Sequence, residues 1–197
     1  SRGLGDVYKR QKQSETFFIS IAAGITLKQL EQAISSESTI IRAMPNTPSA
    51  VGKGITALIG NSAAKNEHIL ISKILLEKIS EVVELEHEDQ MDIVTGLSGS
   101  GPAYVFYLIE ALTSAGIELG LSKEKALHLA KATVAGSGAL AMSSAENPGV
   151  LRENVTSPNG TTQAGLEILM DKKDGLGPLI KSTVEAAAKR SKELGNG

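Results

Sequence analysis

The chain has 197 residues, 20 basic and 22 acidic side chains, a formal net charge of -2 and no cysteine. This length allows one large unit or two small ones with a sizeable core, and the balanced charge without a basic block excludes attraction to nucleic acid or to an anionic membrane. The missing cysteines exclude disulfides, thiolate catalysis and cysteine-based zinc sites, and they agree with a reducing compartment, so we expect a soluble metabolic protein of the cytoplasm.

The first eleven residues show neither a helical nor a strand period. Gly3 and Gly5 do not form a dinucleotide fingerprint, because no strand precedes them and Tyr8 stands where the third glycine would be needed. We predict that residues 1–11 are a non-native leader.

Strands and helices alternate from residue 16 to about residue 87. The pattern predicts strands at 16–21, 39–44, 54–60 and 82–85, with helices at 25–34 and 65–79. Such alternation predicts an α/β layer with a largely parallel sheet, in which ligands bind beyond the carboxyl ends of the strands.

From residue 88 onward the pattern is helical with glycine and proline breaks. It predicts helices at 89–97, 102–119, 122–142, 148–154, 161–170 and 178–194. The helix at 122–142 is rich in alanine and glycine, and the helix at 102–119 is mostly apolar, though Glu110 interrupts its apolar run, which is too short to span a bilayer. We interpret this part as a helical domain whose core is completed by another subunit, and a bundle closed within one chain is the alternative.

Candidate chemistry is limited by what is missing. His68, His87 and His128 are far apart and lack ligand partners at helical spacing, so they indicate surface or capping histidines and no metal site. No serine lies in a nucleophile elbow. The glycine-rich segment at 95–104 lacks the Lys-Ser/Thr ending of a phosphate-binding P-loop and follows a helix, which favours a domain junction.

Three loops remain as candidate binding elements: 22–24 and 44–48 at predicted strand ends, and the polar segment 154–162. In the last of these, residues 158–160 permit a tight turn with a positive φ, and Thr161 and Thr162 open a helix whose first amides lack intrahelical partners. Such amides attract a carboxylate or phosphate. An ordinary turn with a threonine N-cap is the equally supported alternative.

Three motifs, Arg42 to Pro48, Thr95 to Tyr104 and Val155 to Thr162, together resemble the pyrroline-5-carboxylate reductase family in the family's order, and the resemblance covers about residues 17–194. It implies NAD(P)H-dependent reduction of a cyclic imine carboxylate to L-proline. The fold it implies is an incomplete Rossmann-like parallel sheet in the N-terminal part followed by an all-α C-terminal dimerisation domain. Family members form interleaved dimers and often larger rings.

The resemblance also implies roles for individual residues. Ile21, Ala22 and Ala23 would lie beside the NADPH or NADH cofactor, and Asn154 would contact it from the helical domain. Thr161 and Thr162 would hold the substrate, with Thr162 as the catalytic residue. Glu146 would also bind the substrate, although Glu146 is offset by one position from the family's acidic residue, whose place Ala145 occupies.

The family's first strand and glycine-rich nucleotide loop should precede residue 17, and the sequence does not contain them. We therefore expect a truncated reductase that binds NAD(P)H poorly or not at all, with a partial NAD(P)-binding domain at 12–87 and a helical dimerisation and substrate domain at 88–197. Two alternatives remain. One is another NAD(P)-linked dehydrogenase of the β-hydroxyacid type, for which Lys123, Lys125 and Lys131 are candidate catalytic lysines, and the other is a non-catalytic helical oligomerisation module.

Overall fold

The computed structural model describes residues 16–195 and divides them into two compact units. Residues 16–102 with 183–195 form the first unit, and residues 103–182 form the second. The leader predicted at residues 1–11 lies outside the described residues.

The first unit contains a four-stranded mixed sheet. Its strands are β1 (Phe18–Ser20), β2 (Ile40–Met44), β3 (Gly54–Gly60) and β4 (Ser80–Glu84), in that spatial order. The pairs β1–β2 and β3–β4 are parallel, as predicted, whereas β2 and β3 are antiparallel. The antiparallel pair follows from the connection at residues 45–53, which is too short for the crossover of a dozen or more residues that a parallel pair needs.

Two helices accompany this sheet, α1 (Leu27–Ala33) and α2 (Asn66–Leu76), and a 3₁₀ turn (Thr47–Val51) follows β2. A capping box between Thr26 and Gln29 fixes the start of α1. The hydrophobic core joins Leu76 of α2 to the strand residues Ile41, Ala43 and Leu58. Residues 40–43 of β2 are all buried, so this strand is covered on both faces of the sheet.

After β4, helix α3 (Gln90–Val94) continues into a π-helical turn (Thr95–Gly99). The single helix predicted at 89–97 is therefore split, because the glycines of this segment fit against other elements. A Cβ at Gly96 would lie 2.7 Å from the carbonyl oxygen of Val184, and one at Gly99 would lie 2.6 Å from Cε of Met44. The continuous part of the first unit ends at Pro102, inside the glycine-rich segment that the sequence favours as a junction.

The rest of the chain is helical: α4 (Gly101–Glu118), α5 (Lys123–Ser143), α6 (Pro148–Asn154), α7 (Thr161–Leu169) and α8 (Leu176–Gly195). These bounds confirm the five helices predicted after residue 100 to within a few residues. The capping prediction at Ser122 is also confirmed, because its side chain accepts the N–H of Lys125. No helix within residues 16–195 has both the length and the apolar character needed to cross a membrane.

Asp171 closes the turn between α7 and α8. Its Oδ1 accepts the backbone N–H groups of Asp174 at 2.7 Å and Lys173 at 2.8 Å. These two bonds hold the pKa of the Asp171 carboxyl below its ordinary value. The carboxylate therefore supports this turn above its unfolded-state pKa, and the support is lost as the pH falls through the lowered folded-state pKa.

Candidate functional site

The carboxyl end of β1 presents accessible backbone. Ile21 is 62% exposed, and Ala22 and Ala23 are also exposed. Gly24 has a φ of 74°, and a Cβ there would lie 3.2 Å from Cβ of Leu194, so the chain needs glycine at this position. Small side chains followed by this sharp turn leave the backbone after β1 open to a flat ligand.

Beside it, the loop after β2 is fixed by Asn46. Its Nδ2 donates to the carbonyl oxygen of Ser98 at 3.1 Å, and its Oδ1 accepts the N–H of Ile55 at 3.0 Å. Because β1 and β2 are parallel neighbours with Ser20 opposite Arg42, their carboxyl ends lie at the same edge of the sheet. Asn46 thus ties the second of these strand ends to β3 and to the π-helical turn.

Glu88 joins β2 to the start of α1, and the sequence analysis missed it. Its Oε1 lies 2.7 Å from the Arg42 guanidinium and accepts the N–H of Leu27, the first residue of α1, also at 2.7 Å. The Arg42 side chain is only 5% exposed. An arginine inside an otherwise apolar strand is the signal that could have found this contact, because a buried guanidinium needs an acidic partner.

In the second unit the structure brings together two predicted site residues, Glu146 and Asn154. The Asn154 Nδ2 donates to Glu146 Oε2 at 3.2 Å, across the length of α6. A carboxylate only accepts hydrogen bonds, so this contact sets the orientation of the Asn154 amide. Both residues are exposed, and the Oδ1 of Asn154 is left as an acceptor for a ligand N–H.

The predicted tight turn before α7 is confirmed. Gly160 N–H donates to the carbonyl oxygen of Ser157 at 3.0 Å, and Asn159 has a φ of 57° behind Pro158, the pattern of a type II turn. A Cβ at residue 160 would meet Oγ of Ser157 and lie 3.0 Å from the Ser157 carbonyl oxygen, so glycine is favoured there. The N-cap of α7 is Gly160, and the threonine N-cap alternative is wrong because Thr161 and Thr162 are already helical.

The amino end of α7 is left without a side-chain cap. The first amide to enter the helical ladder is that of Ala164, which donates to Gly160 O at 3.2 Å. The amides of residues 161–163 therefore point out of the helix end, where the helix dipole favours an anion. Thr162 is half-buried beside them and Thr161 is exposed. This arrangement suits a small carboxylate.

The three histidines play no part in these sites. His68 Nδ1 accepts the N–H of Lys65 at 3.0 Å, and its ring lies 5.3 Å from that of Phe17, so it is a capping histidine. His87 and His128 are exposed. Within the described residues no group of three or more His, Asp or Glu side chains is placed to hold a metal ion.

The predicted site residues fall into two sets. Ile21, Ala22 and Ala23 belong to the first unit, whereas Glu146, Asn154 and the two threonines belong to the second. Within the second unit, Glu146 and Asn154 are in contact across α6, and Thr161 and Thr162 form the first turn of α7. Their roles toward a ligand stay predictions.

The match to a protein family gives the class of this protein. Residues 88–194 match the family described as pyrroline-5-carboxylate reductase dimerisation. The matched part contains α3 to α7 and nearly all of α8, with the uncapped helix end.

The chain belongs to the pyrroline-5-carboxylate reductase family. It is 40% identical over 186 residues to pyrroline-5-carboxylate reductase 1 of Bacillus subtilis and 41% identical over 186 residues to the Arabidopsis thaliana reductase. These matches cover 94% of this chain in both cases but 62% and 66% of the relatives. The chain thus spans less than two thirds of the length of these curated relatives.

Solved structures agree. A pyrroline-5-carboxylate reductase from Coxiella burnetii superposes with a TM-score of 0.90 at 35% identity, over 96% of this chain and 70% of that one. The Plasmodium falciparum pyrroline carboxylate reductase with NADP bound gives a TM-score of 0.84 at 34% identity, over 97% and 77% of the two chains. These likenesses confirm the predicted fold class, a partial α/β layer followed by an all-α region.

Proposed function

We propose that this chain is the substrate-holding and dimer-forming part of an enzyme that reduces 1-pyrroline-5-carboxylate to L-proline with NAD(P)H. The observation that carries the proposal is the uncapped amino end of α7 behind the type II turn, which lies in the part matched by the family. Family membership points to the reaction, and the helix end supplies a seat for the carboxylate, the negatively charged group that substrate and product share.

The substrate carboxylate would lie on the amides of residues 161–163, with the Thr162 hydroxyl adding a hydrogen bond. A protonated cyclic imine is already a strong electrophile, so the protein needs no side-chain nucleophile and contributes mainly by orienting the reacting carbon. Thr162 is the residue we assign as catalytic, because it is the half-buried hydroxyl at this helix end.

The residues after β1 fit the nicotinamide end of NADPH or NADH, because Ala22 and Ala23 are small and exposed and Gly24 turns the backbone away. Ile21, Ala22 and Ala23 would hold that end by backbone and apolar contact. When bound, the cofactor supplies the hydride. The relative from Plasmodium falciparum was solved with NADP, which supports this choice of cofactor class.

Asn154 would recognise an N–H group of the bound ligands. Glu146 takes the donor end of its amide, so the acceptor Oδ1 remains for a carboxamide or iminium N–H. We keep both residues as site residues, with Asn154 toward the cofactor and Glu146 toward the substrate side. Glu146 then acts at least in part by orienting Asn154.

We further propose that the chain self-associates, as a dimer or a larger ring, through its helical part. Large apolar side chains of α4 and α5 are exposed, among them Phe106 at 57% and Tyr107 at 72%. Such faces are rare on monomers. We also propose that the cofactor-binding part ends and the helical dimerisation and substrate part begins at residue 88. A cytoplasmic location, which the cysteine-free composition favours, is part of the proposal as well.

A non-catalytic oligomerisation module is the competing function, because exposed apolar helices favour it equally. The β-hydroxyacid dehydrogenase alternative has no such support: Lys123, Lys125 and Lys131 are all exposed on α5, and the family match places the chain elsewhere.

A chimera decides between the reductase and the module. The part of the Bacillus subtilis relative that precedes the matched region is fused to this chain, and we expect NADPH oxidation that depends on pyrroline-5-carboxylate and releases L-proline. The unfused chain and the bacterial part alone are the controls, and we expect neither of them to reduce pyrroline-5-carboxylate. We also expect the unfused chain to show no saturable micromolar NADPH binding by fluorescence. A folded chimera that binds NADPH but forms no L-proline would leave only the oligomerisation module.

Thr162→Ala tests the assigned catalytic residue in that chimera. Removing one hydrogen bond to the reacting complex should cost about 1 to 3 kcal/mol of transition-state stabilisation. The value of kcat/KM should therefore fall roughly 5- to 150-fold. Thr162→Ser, which retains the hydroxyl, should stay close to the parent in steady-state kinetics. If the alanine variant matched the serine variant, Thr162 would have no catalytic role.

A further inference from the structure

Gln163 uses both ends of its side-chain amide next to the uncapped end of α7. Its Oε1 accepts the backbone N–H of Asn159 at 2.8 Å, and its Nε2 donates to Glu167 Oε1 at 3.1 Å. Since the Glu167 carboxylate only accepts, it sets the orientation of the Gln163 amide and directs Oε1 toward Asn159. The three residues form a chain of hydrogen bonds from the first turn of α7 back to the turn before it.

Asn159 is the weak point of that turn. It is the non-glycine residue with a positive φ in the described chain, at 57°, a conformation in which Cβ crowds the backbone. The turn's own hydrogen bond uses the N–H of Gly160 and leaves the Asn159 N–H unused. Gln163 supplies the acceptor for it, so a helix side chain holds the strained residue in place.

We propose that Gln163 is a positioning residue for the substrate carboxylate. It holds Asn159 in the left-handed conformation, and this fixes Gly160 as the N-cap and keeps the amides of Thr161 and Thr162 directed at the ligand. The inference rests on the proposed function, because it takes the end of α7 as the carboxylate seat. It adds a residue that does not touch the substrate and acts through the backbone of the turn.

Loss of the acceptor has a definite consequence. Without Oε1, the Asn159 N–H can be satisfied only by water, and Asn159 is free to leave the positive-φ region for the more favourable conformations of a non-glycine residue. The turn then interconverts between states, and only one of them presents the amides. The apparent affinity for a carboxylate falls in proportion to the fraction in that state.

The test uses the full chain and the variant Gln163→Met, which keeps the length of the side chain and removes the acceptor. Hydrogen–deuterium exchange with single-amide resolution should show protection of the Asn159 amide in the parent and at least a tenfold loss in the variant. Calorimetric titration with L-proline, the probe for the seat, should show about a three- to tenfold weaker Kd. Glu167→Gln is the matched control, since its side-chain oxygen still accepts from Gln163 Nε2 and leaves Gln163 Oε1 directed at Asn159, and we expect both quantities within about twofold of the parent.

Rescue separates positioning from general destabilisation. In Gln163→Met combined with Asn159→Gly, the turn no longer needs the acceptor because glycine tolerates a positive φ, and L-proline affinity should return to the parent value. Asn159 protection that persists in Gln163→Met, or unchanged L-proline affinity despite lost protection, would overturn the inference. A parent chain that binds no L-proline at millimolar concentration would instead overturn the carboxylate seat itself, and the positioning role would fall with it.

Discussion

Replacing Glu88 with alanine should destabilise the protein by about 1 to 3 kcal/mol, less than the loss of a fully buried ion pair, because Arg42 is buried but the Glu88 side chain is 31% exposed. The Arg42 side chain is 5% exposed and would keep its charge inside the sheet without a carboxylate. The same change also removes the acceptor from the Leu27 N–H at the start of α1. The segment between β1 and α1, which contains Ile21 to Ala23, is therefore expected to lose its anchor as well.

Glu84→Ala is a matched control for that substitution. Glu84 also forms an ion pair at 2.7 Å, with Lys73, but the two side chains are 45% and 31% exposed. Exposed pairs contribute about 0 to 1 kcal/mol, so this variant should unfold near the parent midpoint. Urea denaturation of parent and both variants at one protein concentration measures the difference, since association makes stability depend on concentration. Equal losses in the two variants would show that the Arg42–Glu88 pair is no more important than a surface pair.

Local sequence signals were enough for most of the secondary structure. The turn before α7 could be predicted because Pro158 fixes its own φ and Asn159 tolerates a positive one, and both preferences are properties of single residues. The start of α5 followed in the same way from Ser122. Such features depend on neighbours in the chain, which the sequence displays directly.

Features that depend on distant residues were missed. The antiparallel pairing of β2 with β3 follows from a short connection, but the alternating pattern alone favours parallel strands. Glu88 contacts residues 46 and 61 positions away, so nothing in its own surroundings in the sequence marks it. Gln163 was hidden for another reason: its position on a helix is unremarkable, and its partner becomes important only once the φ of Asn159 is known.

The candidate site was predicted by resemblance more than by physical argument. Residue chemistry alone reached a possible anion seat at the end of α7 with an ordinary turn as the equal alternative, and the structure shows only that the N-cap is Gly160 and not a threonine. The contact between Glu146 and Asn154 could not be derived from their spacing. The two residues are eight positions apart and a helix begins between them, so the spacing alone does not determine where their side chains lie. Their ligand roles stay predictions.

The helical part carries many large apolar side chains that are exposed in the single chain. Helix α4 has 18 residues and only two charges, Glu110 and Glu118, so it is apolar almost all round. Leu119 just beyond it is 89% exposed, and Leu129 and Leu140 of α5 are more than half exposed. A helix that is apolar on nearly every side is normally buried, and the match to a dimerisation family supports our proposal that a second copy of the chain covers it.

The double substitution Leu108→Asp with Leu112→Asp should therefore abolish self-association. These residues lie one turn apart on α4 and are 44% and 43% exposed in the single chain. Two carboxylates buried in an interface without partners would each oppose association by several kcal/mol, so the dissociation constant should rise by more than a hundredfold. Light scattering after size exclusion should change from the mass of two or more chains to that of one, with partial unfolding of the exposed helices in circular dichroism.

Lys78→Asp gives the control for charge alone, since Lys78 is exposed and lies outside the matched residues 88–194. This variant should keep the parent's mass and helicity. A parent chain that is monomeric at micromolar concentration, or a double variant that keeps the parent's mass, would mean that α4 is covered by something other than a second copy. Because the same helices precede the α6–α7 site along the chain, loss of association in the chimera should also lower its reductase activity, whereas Lys78→Asp should leave activity unchanged.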